Sequence, residues 1–177
     1  MNYFTNEHIS VADNSQVTEI MHLLNNAYRG ENSKKGWTTE ANLIAGDRRA
    51  DVKMLVDTMG HPGSIFLLYT DEANKILGCV NLQKHDNRMY LGMFSVWPEL
   101  QGAGIGKIIL QASEEYARQR LCQSIYMSVI SARTELIDWY KRHGYRDTGE
   151  KKPFEEDGVT GKHLQKLEFM ILEKKLS

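Results

Sequence analysis

The sequence predicts an α+β domain built on a mixed sheet, and three observations carry that prediction. Three short β-rich runs in the middle of the chain are divided by four-residue polar turns, connections short enough only for antiparallel neighbours. A strand, a long amphipathic helix and another strand follow, which is the order of a right-handed parallel crossover. The length of 177 residues, with 41% hydrophobic and 25% charged residues, suits one globular domain spanning 1–177.

Each element has its own signal. Residues 3–11 read as a first strand. Asn14 and Ser15 offer a cap for a helix whose Val17, Ile20, Met21, Leu24 and Tyr28 fall on one stripe. A polar loop from Arg29 to Gly36 precedes a second helical region, capped at Thr38 or Thr39 and running irregularly to Met59. Strands are expected at 64–70, 76–84 and 89–96, with turns at 71–74 and 85–88. The helix at 104–121 buries Ile105, Ile109, Ala112 and Tyr116, while Glu114 and Arg118 are assigned to its solvent face. A strand at 124–130, a helix at 134–143 ended by Gly144, and an alternating run at 164–172 complete the chain.

Charge and composition exclude several functions. Lys and Arg total 22 against 23 Asp and Glu, so no broad basic field exists to attract nucleic acid. Cys79 and Cys122 lack neighbouring ligands at metal spacing and suit a reduced, cytoplasmic protein, and no metal is expected. The start of the chain has neither a basic segment nor an apolar core, so no signal peptide is expected. The apolar run at 65–69 is far shorter than the roughly 20 residues of a membrane helix. His61 and His85 lie in turns, and His143 lies near a helix end where the dipole favours it.

The most informative segment lies between the strand ending at Val96 and the helix that follows. Gly102, Gly104 and Gly106 allow close backbone approach and leave amide N–H groups free at a helix start, a natural site for a phosphate. A Walker loop requires four residues before its Gly-Lys pair and then Ser or Thr, whereas Gly102 and Gly106 enclose three and Lys107 precedes Ile108. A dinucleotide fingerprint requires Gly-x-Gly-x-x-Gly directly after its strand, whereas this run is Gly-x-Gly-x-Gly and begins after an excursion at 98–101.

The segment resembles the acyl-CoA pyrophosphate loop of the GNAT superfamily of N-acetyltransferases, Gln/Arg-x-x-Gly-x-Gly/Ala, at Gln101, Gly104 and Gly106. Val96-Trp97-Pro98 before it, and Trp139-Tyr140 with Gly144-Tyr145 after it, are also similar to that family, and the element order matches over nearly the whole chain. The resemblance implies a mixed, mostly antiparallel central sheet of about six to seven strands flanked by helices, with a splayed parallel strand pair. It also implies acetyl-CoA as co-substrate, its diphosphate on Gln101, Gly102, Ala103, Gly104, Ile105, Gly106 and Lys107 and its thioester beside Phe94, Ser95 and Val96. Tyr140 stands where the family has the Tyr that protonates the leaving thiolate, a role suited to a phenol that keeps its proton at neutral pH. Where the family often has Asn, seven residues before that Tyr, to bond the pantetheine arm, this chain has Arg133; the resemblance then implies that this CoA contact passes to Arg133 or to Ser131, and the choice is left open.

The general base is not assigned, since residues 89–96 contain no acid; Glu40 and Glu168 are candidates. The acceptor site implied by the family lies around residues 28–40 and 151–163. Tyr28 and Trp37 would form a wall there, with Glu31, Glu40, Glu155, Glu156 and Asp157 favouring a cationic amine. The expected function is N-acetylation of a small-molecule primary amine, without nucleic acid or membrane partners. A protein N-terminus or lysine as acceptor, and a non-catalytic acyl-CoA-binding module, are the alternatives. The β-rich last strand could pair across a homodimer.

Overall fold

A computed structural model describes residues 4–176. Its centre is a seven-stranded sheet in the order β1-β3-β4-β5-β6-β9-β7. The strands are β1 (Ile9–Val11), β3 (Ser64–Thr70), β4 (Ile76–His85), β5 (Arg88–Val96), β6 (Ser124–Ile130), β7 (Arg146–Phe154) and β9 (Leu167–Lys175). Two short strands, β2 (Ile44–Ala45) and β8 (Lys162–His163), pair separately. All the main pairings are antiparallel except β5 with β6, the predicted crossover through helix α4 (Ile105–Gln119).

The other helices are α1 (Val17–Tyr28), the single turn α2 (Gly30–Ser33), α3 (Val52–Gly60) and α5 (Thr134–Arg142). One face of the sheet packs on α1 and α3 through Ile20, Leu24, Leu55, Phe66 and Leu68. The opposite face packs on α4 and α5 through Leu82, Met89, Ile109, Ile125 and Tyr145. Burial of these apolar side chains, at about 1.5–3 kcal/mol each, is the main force holding helices to sheet.

Several expectations are corrected. Of the strand expected at 3–11, Tyr3 lies outside the described residues and, of residues 4–11, only Ile9–Val11 is strand; Asn6 closes a turn by accepting from the His8 N–H at 2.9 Å. Asn14 and Ser15 do not cap the first helix; they lie in a 3-10 turn, Asn14–Gln16, that leads into α1 and is itself capped by Asp13, which accepts from the Ser15 N–H at 2.8 Å. The helical region expected at 38–59 begins only at Val52, where Asp51 accepts from the Met54 N–H at 2.8 Å. Before it the chain is held by tertiary bonds, among them Asn25 Oδ1 with the Arg49 and Ala50 N–H groups.

Glu114, assigned to solvent, is only 7% exposed; it accepts from the Tyr145 hydroxyl at 3.1 Å and from Lys174 Nζ at 2.8 Å. Strand β7 escapes a periodicity reading because all its residues but Phe154 are exposed, and hydrogen bonds to β9 alone define it. β9 is therefore flanked by β6 and β7 within the chain, and no edge of it is left for a second copy.

Candidate active site

The site begins where β5 and β6 part. Their pairing covers only Arg88 with Ser124, Met89 with Ile125 and Tyr90 with Tyr126. On its other side β5 pairs Gly92 with Asn81 and Ser95 with Cys79, so it carries one extra residue, and Met93 takes the left-handed φ of 50°. This β-bulge turns the end of β5 away from β6. The Tyr28 hydroxyl fixes the bulge by donating to the Phe94 carbonyl at 2.6 Å. Two cavities open at the divergence.

The larger cavity, about 680 Å³, runs from the glycine loop to the aromatic face of α5. Gly102 and Gly104 sit at φ 89° and 91°, and a Cβ on either would meet nothing within 4 Å. The loop is thus an open cradle whose turn requires glycine. Gly104 caps α4 without a side-chain hydrogen bond, leaving the first-turn amides directed outward beside Gly106 and Lys107. The side chains of Ala103, which is exposed, and Ile105, which is buried in the core, do not line this cavity, so these two residues offer it backbone only.

Gln101 acts as a clip. Its Oε1 accepts from the Trp37 and Thr38 N–H groups at 2.8 and 3.1 Å, and its Nε2 donates to Thr38 Oγ1 and the Val96 carbonyl at 2.8 and 3.0 Å. Gly36 fits against that amide, where a Cβ would collide with Gln101 Oε1. Trp37 consequently lines the larger cavity, its ring 6.4 Å from that of Trp139, rather than the smaller one.

Tyr140 stands where the cavities meet, and Tyr28, Phe94, Arg133 and Leu136 share that position. The helical spacing that makes an aromatic at 140 a core residue does bury it, to 4% exposure, yet its ring lines both hollows. Burial, reinforced by the neighbouring Tyr28, pushes its hydroxyl well above the ordinary phenol value, so it keeps its proton. Among the described residues this hydroxyl has no hydrogen-bond partner. Nearby in the wall, the buried Ser95 Oγ also has none among the described residues.

The smaller cavity, about 160 Å³, lies between β5, β6 and the loop after α1, closed by the stacked rings of Phe154 and Phe169 at 4.3 Å. Its one acidic side chain among the described residues is Glu40, 5% exposed. Glu40 gives one oxygen to Arg29 and the other to Arg133, at 2.8 Å for the latter. Arg133 also donates to the Thr38 carbonyl, and Arg29 to the Thr160 carbonyl. The residue in the place of the expected Asn is thus a tie between α5 and the loop before β2, while still lining both cavities.

Other acidic residues expected to attract a cationic amine are used elsewhere. Glu31 pairs with Lys34, Glu156 accepts from the His163 N–H, and Asp157 closes a turn with Val159 and Thr160. Glu155 does not line either cavity. Glu168 pairs with Lys151 at 3.5 Å on an exposed surface. Sequence reading missed Arg49, which lines the smaller cavity; its segment carries no period and looked like a ragged helix. It also missed Arg29 as the partner of Glu40, because eleven residues separate the pair along the chain.

Among the described residues no group of His, Cys, Asp and Glu is arranged to hold a metal, and no helix is long and apolar enough to cross a membrane.

Residues 17–145 match the model of the Acetyltransferase (GNAT) family. No curated protein matches the sequence. Solved structures with the same fold include the ribosomal-protein-S18-alanine N-acetyltransferase from Escherichia coli, 12% identical, covering 96% of this chain and 93% of its own, with a TM-score of 0.70. An acetyltransferase of the GNAT family from Staphylococcus aureus MU50 is 18% identical over 96% of this chain and 98% of its own, with a TM-score of 0.67. The structure of yncA from Salmonella typhimurium with its cofactor acetyl-CoA is 18% identical over 98% of this chain and 95% of its own, with a TM-score of 0.68.

Proposed function

Because the chain belongs to the GNAT family of acetyltransferases and is therefore an acyltransferase, we propose that it transfers the acetyl group of acetyl-CoA to the primary amine of a small molecule. The observation that carries this reading is the pair of cavities joined at Tyr140, one reaching back to the glycine loop and the other bounded by side chains on the acceptor side.

The residues present fit the donor. Gly102 and Gly104 leave their cradle open, the first-turn amides of α4 offer N–H groups to a diphosphate, and Lys107 adds a positive charge at its edge. Ser95 Oγ is a buried hydroxyl in want of a partner, beside the bulge at Met93 and Phe94. Acetyl-CoA supplies an acetyl group activated as a thioester. Trp37, Trp139 and Phe94 exclude water along the path of its arm. Tyr140 holds a proton at the junction and would give it to the departing sulfur.

A small acceptor suits the smaller cavity, whose 160 Å³ corresponds to roughly five water molecules. The test is release of free thiol from acetyl-CoA across a panel of small amines. Turnover of small amines, and none of N-terminal or lysyl peptides, is the expected result. Tight CoA binding with complete silence toward every amine would contradict transfer and leave a binding module.

A further inference from the structure

The charge of the smaller cavity is the reverse of what an amine acceptor alone would select. Arg49 and Arg133 line it against Glu40, and both oxygens of Glu40 are already occupied by Arg29 and Arg133. Each Glu40 oxygen thus already serves a guanidinium, and the single negative charge of Glu40 is outweighed before an ammonium group could reach it. The Arg49 guanidinium, by contrast, forms no ion pair or hydrogen bond among the described residues; its charge rests on the Tyr28 ring, 5.3 Å from the centroid. Arg133 lies 5.8 Å from the same centroid, so one ring carries both cations. The backbone of Arg49 is fixed independently, its N–H donating to Asn25 Oδ1 at 2.6 Å. A half-buried guanidinium, anchored by its backbone, lining a cavity and lacking a counter-charge, is a group arranged to receive an anion.

Resting on the reading of this site as an acetyltransferase, we infer that Arg49 forms a carboxylate subsite and that the acceptor is a small amino-acid-like zwitterion. Its carboxylate lies against Arg49 and its amine points toward Tyr140 at the junction of the cavities. The same arrangement bears on the missing base. A cationic wall disfavours an ammonium and favours the neutral amine that attacks; as the C–N bond forms and the C–S bond breaks, the proton that nitrogen gives up replaces the one Tyr140 gives to sulfur, so residues 89–96 need supply no carboxylate to draw it away. It also discriminates against polyamines and lysyl side chains, which would bring positive charge without an anion.

The experiment compares matched pairs, an α-amino acid and its methyl ester, at equal concentration. Each is assayed by thiol release from acetyl-CoA and titrated calorimetrically into the protein with and without CoA. Acids of fitting side chain should exceed their esters about 10- to 100-fold in kcat/KM or affinity, the range for a hydrogen bond to a charged group. The ester's amine is the less basic, so chemistry alone would favour the ester. In Arg49→Gln the acid-over-ester ratio should collapse to one or below, and Arg49→Lys should restore part of it. Esters equal to or better than acids, or a ratio unchanged in Arg49→Gln, would overturn the inference. A protein that ignores CoA would end the donor reading, yet its titration by the acid and ester would still decide the carboxylate subsite.

Discussion

Tyr140 holds a hydroxyl whose proton burial retains, at the junction of the larger and smaller cavities. Tyr140→Phe keeps the ring and its contacts with Trp139, Phe94 and Tyr145 while removing only the acid. Steady-state kinetics should show turnover lower by about 10²- to 10⁴-fold, with CoA affinity from calorimetry nearly unchanged. Undiminished turnover would remove Tyr140 from the chemistry. Glu40 has a different part, since it neutralises two guanidinium groups of which Arg29 is 2% exposed. Glu40→Ala leaves those charges buried together and should cost about 3–5 kcal/mol in denaturant unfolding. The residue-scale reading of the sequence reached Tyr140 and Glu40 by resemblance, but the identity of Glu40's partners was out of reach. Arg29 and Arg133 meet it only through folding, and nothing in local spacing marks either as its mate.

At the scale of elements, the glycine loop and the loop before β2 form one unit because Gln101 makes three hydrogen bonds to Trp37 and Thr38 and a fourth to the Val96 carbonyl at the end of β5. Gln101→Ala should speed amide exchange at Trp37 and Thr38 and lower stability by about 1–3 kcal/mol, less than the sum of its bonds because that loop is partly exposed. Unchanged exchange at those two amides would refute the clip. Gly104 has space around it but a left-handed φ, so Gly104→Val should cost about 1–2 kcal/mol from its backbone alone. The same variant should weaken CoA binding, since a branched side chain would stand in the cradle, and calorimetry showing unaltered affinity would contradict that. Strands β3 to β6 and helices α4 and α5 were legible because burial on one or both faces imprints a period or an apolar run. The segment 38–51 and strand β7 were not. The first is shaped by bonds such as Asn25 with Arg49 and by the β2 with β8 pairing, and the second lies with its side chains in solvent.

At the scale of the molecule, several titratable hydroxyls and both thiols are held out of water. Cys79 is fully buried, and burial pushes its thiol up to about 12, while Tyr28, Tyr140 and Tyr145 are likewise raised by burial first. Unfolding releases these groups to their ordinary values, so their contribution to stability is complete below the unfolded thiol's value near 9. It is lost as the pH climbs from there toward 12. Thermal midpoints should therefore fall steadily above about pH 9, and thiol reagents should label neither Cys79 nor Cys122 before unfolding. A flat alkaline profile would show that these groups are not held as described. The overall architecture was legible because element order alone required a crossover between the meander and the second half. The charge of the smaller cavity was not, since it depends on which surplus charges of a nearly neutral chain end without a partner. Backbone amide NMR during a CoA titration reads whether the amides opening α4 receive the diphosphate, as we propose. The largest shifts should fall on residues 102–107, with smaller ones reaching Ser95 and Tyr140. Saturable CoA binding that leaves residues 102–107 unmoved would contradict the account.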